Sequence, residues 1–190
     1  MSAEIKICGV NDLRFAVEAE RLGADYLGFI FAEESPRRVT AEFVRTVRSR
    51  LDGKVRTVGV FTVSPLPEVL AVAEDVGLDV VQLHRRAKAE EVAGIRAAGF
   101  AVWTLAGGAD GDAVLFDSSH GDGERVLRKG DFRSVLAGGI SEENIEAAFT
   151  SGADIVDVSG SLERSPGVKS VEKLRSFFAE VGKLKGGSEC

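Results

Sequence analysis

Glu4-Ile5-Lys6-Ile7-Cys8-Gly9 reads as a short strand closed by a glycine, with Ile5 and Ile7 on one face and Lys6 and Cys8 on the other. A thiol and an ammonium therefore share a face at the carboxyl end of the strand. A neighbouring cation lowers a thiol's pKa and favours the thiolate, the form that can take a proton or attack a carbon. A free cysteine packed as a small hydrophobe is the competing interpretation, and this one strand does not decide between them.

Moving outward, Leu13, Ala16, Val17, Ala19 and Leu22 fall at helical spacing, with Asn11 or Asp12 as the cap and Gly23 as the stop. Tyr26 to Phe31 is an apolar run of strand length, as expected for a parallel strand buried on both faces. The unit then repeats. Thr40 caps a helix through Phe43, Val44, Val47 and Leu51, and Arg56 to Phe61 is a third strand. Ser64 and Pro65 open a helix carrying Val69, Leu70, Ala73 and Val76; Val80 to His84 is a fourth strand, and Glu90 to Ala98 a helix closed by Gly99. Ala101 to Ala106 and Ala113 to Asp117 are both strand-like but lie only six residues apart, so the fifth helix is missing or vestigial.

A polar loop, Ser118 to Glu124, leads to a short amphipathic piece near Arg125 to Lys129, then to a strand at Ser134 to Gly138. Ser141, with Glu142 and Glu143 in the first turn, marks a capped helix through Ile145, Ala148 and Phe149. Ile155 to Ser159 is the eighth strand, and the last helix begins after Ser170. Eight strands alternating with helices predict an α/β fold, a single-domain (β/α)8 barrel over residues 1–185 with a flexible tail at 186–190. The rival, an open doubly wound sheet, would carry Gly-x-Gly-x-x-Gly in its first turn, where Cys8-Gly9-Val10-Asn11-Asp12 stands.

A net charge of -6 with dispersed Lys and Arg argues against nucleic acid as a partner. No basic leader or membrane-length apolar run is seen, so a cytoplasmic protein without a membrane partner is expected. The cysteines are Cys8 and Cys190, the latter at the end of the tail, so no structural disulfide is expected. The histidines, His84 and His120, lie at no ligand spacing from a cysteine, so no metal site is expected.

In such a barrel, active groups sit at the carboxyl ends of the strands. Strand one delivers Lys6 and Cys8, strand four Gln82 and His84, strand six Asp117, and strand eight Asp157 and Ser159. Gly138 and Gly139 after strand seven, with Ser159-Gly160-Ser161 after strand eight, lie where barrels hold a phosphate through backbone amides. The first of these loops runs towards an expected helix amino terminus. A phosphorylated substrate is inferred. Arg37 could grip a carboxylate through two parallel hydrogen bonds, whereas Arg38 is read as a solvated surface residue.

The motifs resemble the phosphoribosylanthranilate isomerases of tryptophan biosynthesis. The resemblance rests on Lys6-Ile7-Cys8-Gly9, Gly28-Phe29-Ile30-Phe31, Ser35-Pro36-Arg37, Val81-Gln82-Leu83-His84, Leu115-Phe116-Asp117, Ala137-Gly138-Gly139, Asp157-Val158-Ser159 and Pro166-Gly167-Val168-Lys169, in that order along the whole chain. It implies an Amadori rearrangement without a cofactor, with Asp117 as general acid and Cys8 as general base. Arg37 would hold the anthranilate carboxylate, and Gly138, Gly139, Ser159 and Gly160 would take the phosphate. Lys6, His84 and Asp157 join them as substrate-binding candidates in a monomer or homodimer. Three departures from the family pattern stand out: Arg85 in place of a glycine, the reduced segment His120-Gly121-Asp122-Gly123, and a single serine before Gly160. Another phosphate-binding barrel enzyme and a barrel that has lost its activity are the alternatives.

Overall fold

The computed structural model describes residues 3–118 and 130–186. Its centre is a closed barrel of eight parallel strands: β1 (Glu4–Cys8), β2 (Tyr26–Ile30), β3 (Arg56–Phe61), β4 (Val80–Leu83), β5 (Ala101–Leu105), β6 (Ala113–Asp117), β7 (Arg133–Ala137) and β8 (Ile155–Val158). The ring closes through β1 and β8, with Lys6 opposite Asp157. Around it lie α1 (Leu13–Arg21), α2 (Ala41–Arg48), α3 (Leu66–Val76), α4 (Ala89–Ala97), α5 (Ile145–Thr150) and α6 (Val171–Gly186). None of the described helices is long and apolar enough to cross a membrane.

The alternation read in the sequence sorts the side chains. Ile5, Ile7, Leu27, Phe29 and Val81 point outward into the layer beneath the helices, which also holds Phe15, Val44, Val69, Ile95 and Phe177. Tyr26, Val58, Val80, Trp103, Leu115, Val135 and Ile155 fill the barrel itself, Tyr26 meeting Trp103 edge-on at 4.8 Å between ring centroids. The caps lie near their expected places. Asp12 accepts from the Phe15 N–H at 2.7 Å and Thr40 from the Phe43 N–H at 3.2 Å.

β5 turns back into β6 with no helix between them. The connecting loop lies so close to its neighbours that a Cβ on Gly111 would stand 2.3 Å from the Val102 carbonyl oxygen, and one on Gly108 2.6 Å from the Ala87 nitrogen. Helix α5 departs from expectation: it begins at Ile145 and is six residues long, rather than starting behind a Ser141 cap. The Asn144 side chain accepts the Ser141 N–H at 2.9 Å and donates to the Gly139 carbonyl at 2.8 Å, folding 141–144 into a turn that displaces the helix start. The amphipathic piece at Arg125 to Lys129 and residue Cys190 lie outside the described residues.

One device recurs four times at the amino end of the barrel. Asp25, Asp79, Asp112 and Asp154 each stand one residue before an even-numbered strand, and each accepts the backbone N–H of the second residue of the preceding odd strand. The partners are Ile5, Thr57, Val102 and Ser134, all at 2.7 Å. Asp154 also accepts the Ser134 hydroxyl at 2.8 Å. Burial pushes its carboxyl up, but the Ser134 N–H and hydroxyl and the Arg133 charge outweigh this, and its pKa is lowered overall. A carboxylate so stabilised contributes above its unfolded pKa and loses that contribution as pH falls through the folded one. Asp154→Ala should therefore cost about 1 kcal/mol at neutral pH, towards the low end because the group is exposed. The loss should shrink in acid when urea midpoints are compared across pH; a loss independent of pH would contradict this role.

Candidate active site

The alternation that buries Ile5 and Ile7 outward places Lys6 and Cys8 inside the barrel. Lys6 is fully buried, and its Nζ donates to Asp157 Oδ2 at 2.6 Å across the β1–β8 seam. Burial pulls the ammonium down, yet the Asp157 charge and the Cys8 sulfur more than offset this, so Lys6 is held protonated. Cys8 stands one step along the strand, nearly buried. The expectation of a lowered thiol pKa is reversed here. Burial pushes the Cys8 thiol up, Lys6 pulls it back, Asp157 pushes it up again, and the net direction is upward. Lys6 lies under the floor of the cavity described next, not on its wall.

A cavity of about 480 Å³ opens at the carboxyl end of the barrel, with Cys8, Gln82, His84, Asp117 and Asp157 on its surface and Arg37, Gly138, Gly139, Ser159 and Gly160 around it. Cys8 ends β1 and Asp117 ends β6, so they approach from opposite sides of the ring. His84 Nε2 stands 3.6 Å from Asp117 Oδ2, and His84 Nδ1 stands 3.3 Å from Gln82 Nε2. Gly138 adopts φ +89°, and a Cβ there would lie 2.6 Å from Asp117 Oδ1. This glycine lets the β7 loop close over the carboxyl. Two buried acceptors, Gln82 Oε1 and Asp157 Oδ1, have no hydrogen-bond partner among the described residues.

At the other side of the cavity, the Arg37 guanidinium is partly exposed and forks onto Glu163, Nε to Oε1 at 2.6 Å and Nη2 to Oε2 at 2.8 Å. Arg38 is half exposed and pairs with Glu33 at 3.2 Å, away from the cavity. The Ser159 hydroxyl donates to the Cys8 carbonyl at 3.1 Å, and the Ser161 hydroxyl to the Ile140 carbonyl at 2.6 Å, tying the eighth loop to the first and seventh. Because α5 starts late and is short, its dipole does not support the Gly138–Gly139 loop as the sequence suggested. What that loop can offer an anion is backbone N–H groups. Arg85 is held by Glu91 in two bonds of 2.7 and 2.8 Å at the start of α4, so it serves the helix end and does not line the cavity. Residues 120–123 lie outside the described residues.

The sequence model of N-(5'-phosphoribosyl)anthranilate (PRA) isomerases matches residues 5–180. The chain belongs to that family. It is accordingly an enzyme, an isomerase of tryptophan biosynthesis. It is 38% identical to the PRA isomerase of Rubrobacter xylanophilus over 201 aligned positions that cover 93% of this chain and 98% of the relative. The crystal structure of the Thermus thermophilus PRA isomerase superposes with a TM-score of 0.84 at 35% identity, covering 95% of this chain and 99% of that one. A further PRA isomerase, solved in complex with reduced 1-(o-carboxyphenylamino)-1-deoxyribulose 5-phosphate, superposes with a TM-score of 0.81 at 28% identity, covering 96% and 100%.

Sequence reasoning gave no site role to three residues that shape the PRA isomerase cavity or its supports, although Gly28 and Lys169 stand in the motifs of the resemblance. Glu163 holds Arg37, Lys169 holds Glu163 and the Ser159 carbonyl, and Gly28, opposite Cys8 in the β1–β2 register, makes room for the sulfur. A Cβ on Gly28 would lie 2.9 Å from Cys8 Sγ and 3.2 Å from Lys6 Nζ. A glycine within an otherwise apolar strand was the available signal for such a close approach. Gly28→Ala should therefore lower kcat/KM on the order of 10-fold or more by moving the sulfur, and destabilise the chain by about 1–3 kcal/mol. Unchanged kinetics in the purified variant would show that the sulfur's place does not depend on this gap.

Proposed function

We propose that this chain converts N-(5-phosphoribosyl)anthranilate to 1-(2-carboxyphenylamino)-1-deoxyribulose 5-phosphate, with Asp117 as general acid and Cys8 as general base. The observation that carries the reading is that these two groups, from opposite sides of the ring, line one cavity bordered by an arginine and two glycine-containing loops.

Asp117, as general acid, delivers a proton to the ribose ring oxygen as the C1–O bond breaks and the anilino nitrogen's lone pair forms C=N. The Cys8 thiolate then removes the C2 proton, the C2–H electrons form the C1=C2 bond, and the C=N pair returns to nitrogen to give an enolamine. Protonation at C1 and loss of the 2-hydroxyl proton yield the ketone, so the substrate is isomerised without net gain or loss of protons. Arg37 takes the anthranilate carboxylate, and backbone amides around Gly138, Gly139, Ser159 and Gly160 take the phosphate. Gln82 Oε1 and Asp157 Oδ1 are acceptors facing a ligand that brings sugar hydroxyls, and those hydroxyls supply the missing donors. His84 lies beside Asp117 and orients it. Lys6, below the floor, acts through Cys8 by stabilising the negative sulfur.

The raised thiol pKa fixes the sign of the pH dependence. Thiolate is scarce at neutral pH and grows with alkalinity, so kcat/KM should climb through a limb above the ordinary cysteine range of about 8.5. Lys6→Met should push that limb higher. When freshly made phosphoribosylanthranilate is followed by loss of anthranilate-type fluorescence, Cys8→Ala and Asp117→Asn should each lower kcat by roughly 10²–10⁴. Activity that survives either substitution would discard the assigned roles, and an inactive parent protein would favour a barrel that has lost its chemistry.

A further inference from the structure

Arg37 is held by a buried carboxylate that the proposed chemistry does not use. Glu163 opens β9 (Glu163–Ser165), which pairs with β10 (Val168–Lys169) in a hairpin after β8. Its side chain is 4% exposed and receives four donors: Arg37 Nε and Nη2, Lys169 Nζ at 3.0 Å and the Gly167 N–H at 3.2 Å. Lys169, fully buried through its side chain, also donates to the Ser159 carbonyl at 3.0 Å. One carboxylate thus bridges two cations that would otherwise repel one another in a low-dielectric setting. Burial pushes the Glu163 carboxyl up, but Arg37 and Lys169 outweigh that and keep it ionised.

The way Arg37 is held matters for what it can still do. A guanidinium carries five N–H groups in a planar fork. Glu163 takes the side edge, Nε with one hydrogen of Nη2, and leaves the end edge of Nη1 and Nη2, which has no hydrogen-bond partner among the described residues. That end edge presents two parallel donors, the geometry that fits a second carboxylate. Close packing fixes the stem as well. Gly9 has φ +71°, and a Cβ there would stand 2.5 Å from Arg37 Cδ.

We infer that Glu163 is a positioning residue for substrate binding: by holding the side edge of Arg37 it aims the end edge at the substrate's aromatic carboxylate. The inference rests on the reading of Arg37 as the carboxylate clamp. Without the Glu163 charge, Arg37 and Lys169 become adjacent uncompensated cations, and the guanidinium moves off its mark. Lost aim weakens binding of the ground state and transition state together, which appears in KM more than in kcat.

The test is a double-mutant cycle on the full chain with phosphoribosylanthranilate as substrate, recording kcat, KM and melting temperature for Arg37→Ala, Glu163→Gln and the pair. Glu163→Gln is expected to raise KM about 10-fold or more with kcat changed much less, and to add little further in the Arg37→Ala background. Glu163→Asp, which keeps the charge but draws it back, should give an intermediate KM and covers the case in which the glutamine variant folds poorly. Glu163→Gln and Glu163→Asp that lower the melting temperature while leaving KM unchanged, or that raise KM equally with and without Arg37, would overturn the positioning role. An unchanged KM in Arg37→Ala alone would instead remove the clamp on which the role depends.

Discussion

The buried ion pair of Lys6 and Asp157 is the constraint around which the cavity is arranged. It spans the seam where the first and last strands meet, at a point where the two residues are opposite one another in register. Removing two charges from water costs several kcal/mol, so a pair of this kind adds little net stability, while losing one partner costs about 3–5 kcal/mol. Its contribution here is positional and electrostatic. A slip of β1 by one residue at the seam would turn Lys6 into the apolar layer under the helices and leave Asp157 inside the barrel without its partner. In the observed register they stand beneath Cys8, where the ammonium opposes the burial that would keep the sulfur protonated.

The two ends of the barrel divide the work. At the amino end, four aspartates pin the odd strands to the even ones, and Glu4 binds Arg133 at 2.7 Å and the Tyr26 hydroxyl at 2.9 Å, closing the base. Those groups satisfy backbone donors and one another. At the carboxyl end, among the described residues, Gln82 and Asp157 keep acceptors without partners and Arg37 keeps an open edge. Polar groups satisfied at one end and waiting at the other are what a barrel that binds at its carboxyl face requires.

Much of this was legible from residue order, because strand and helix periods report which face is buried. The eight strands, the Asp12 and Thr40 caps and the missing helix between β5 and β6 all follow from local pattern. Local pattern misled at Ser141, where a serine followed by two glutamates looks like a helix start until the Asn144 side chain accepts the Ser141 N–H and folds 141–144 into a turn. It also misled at Cys8, since a lysine two residues away says nothing about how much water the fold excludes. Glu163, Lys169 and Gly28 were harder to select. A glutamate and a lysine six residues apart look like surface residues until a hairpin turns both inward, and a strand glycine acquires meaning only when the sulfur it faces is known.

A crystal structure of this chain bound to reduced 1-(2-carboxyphenylamino)-1-deoxyribulose 5-phosphate would show directly whether Cys8 and Asp117 face the sugar of one ligand. The phosphate should lie against the loops at Gly138–Gly139 and Ser159–Ser161, the aromatic carboxylate on the end edge of Arg37, and the sugar carbons between the Cys8 sulfur and the Asp117 carboxyl. A ligand whose sugar lies beyond reach of either group, or whose carboxylate is bound away from Arg37, would contradict it.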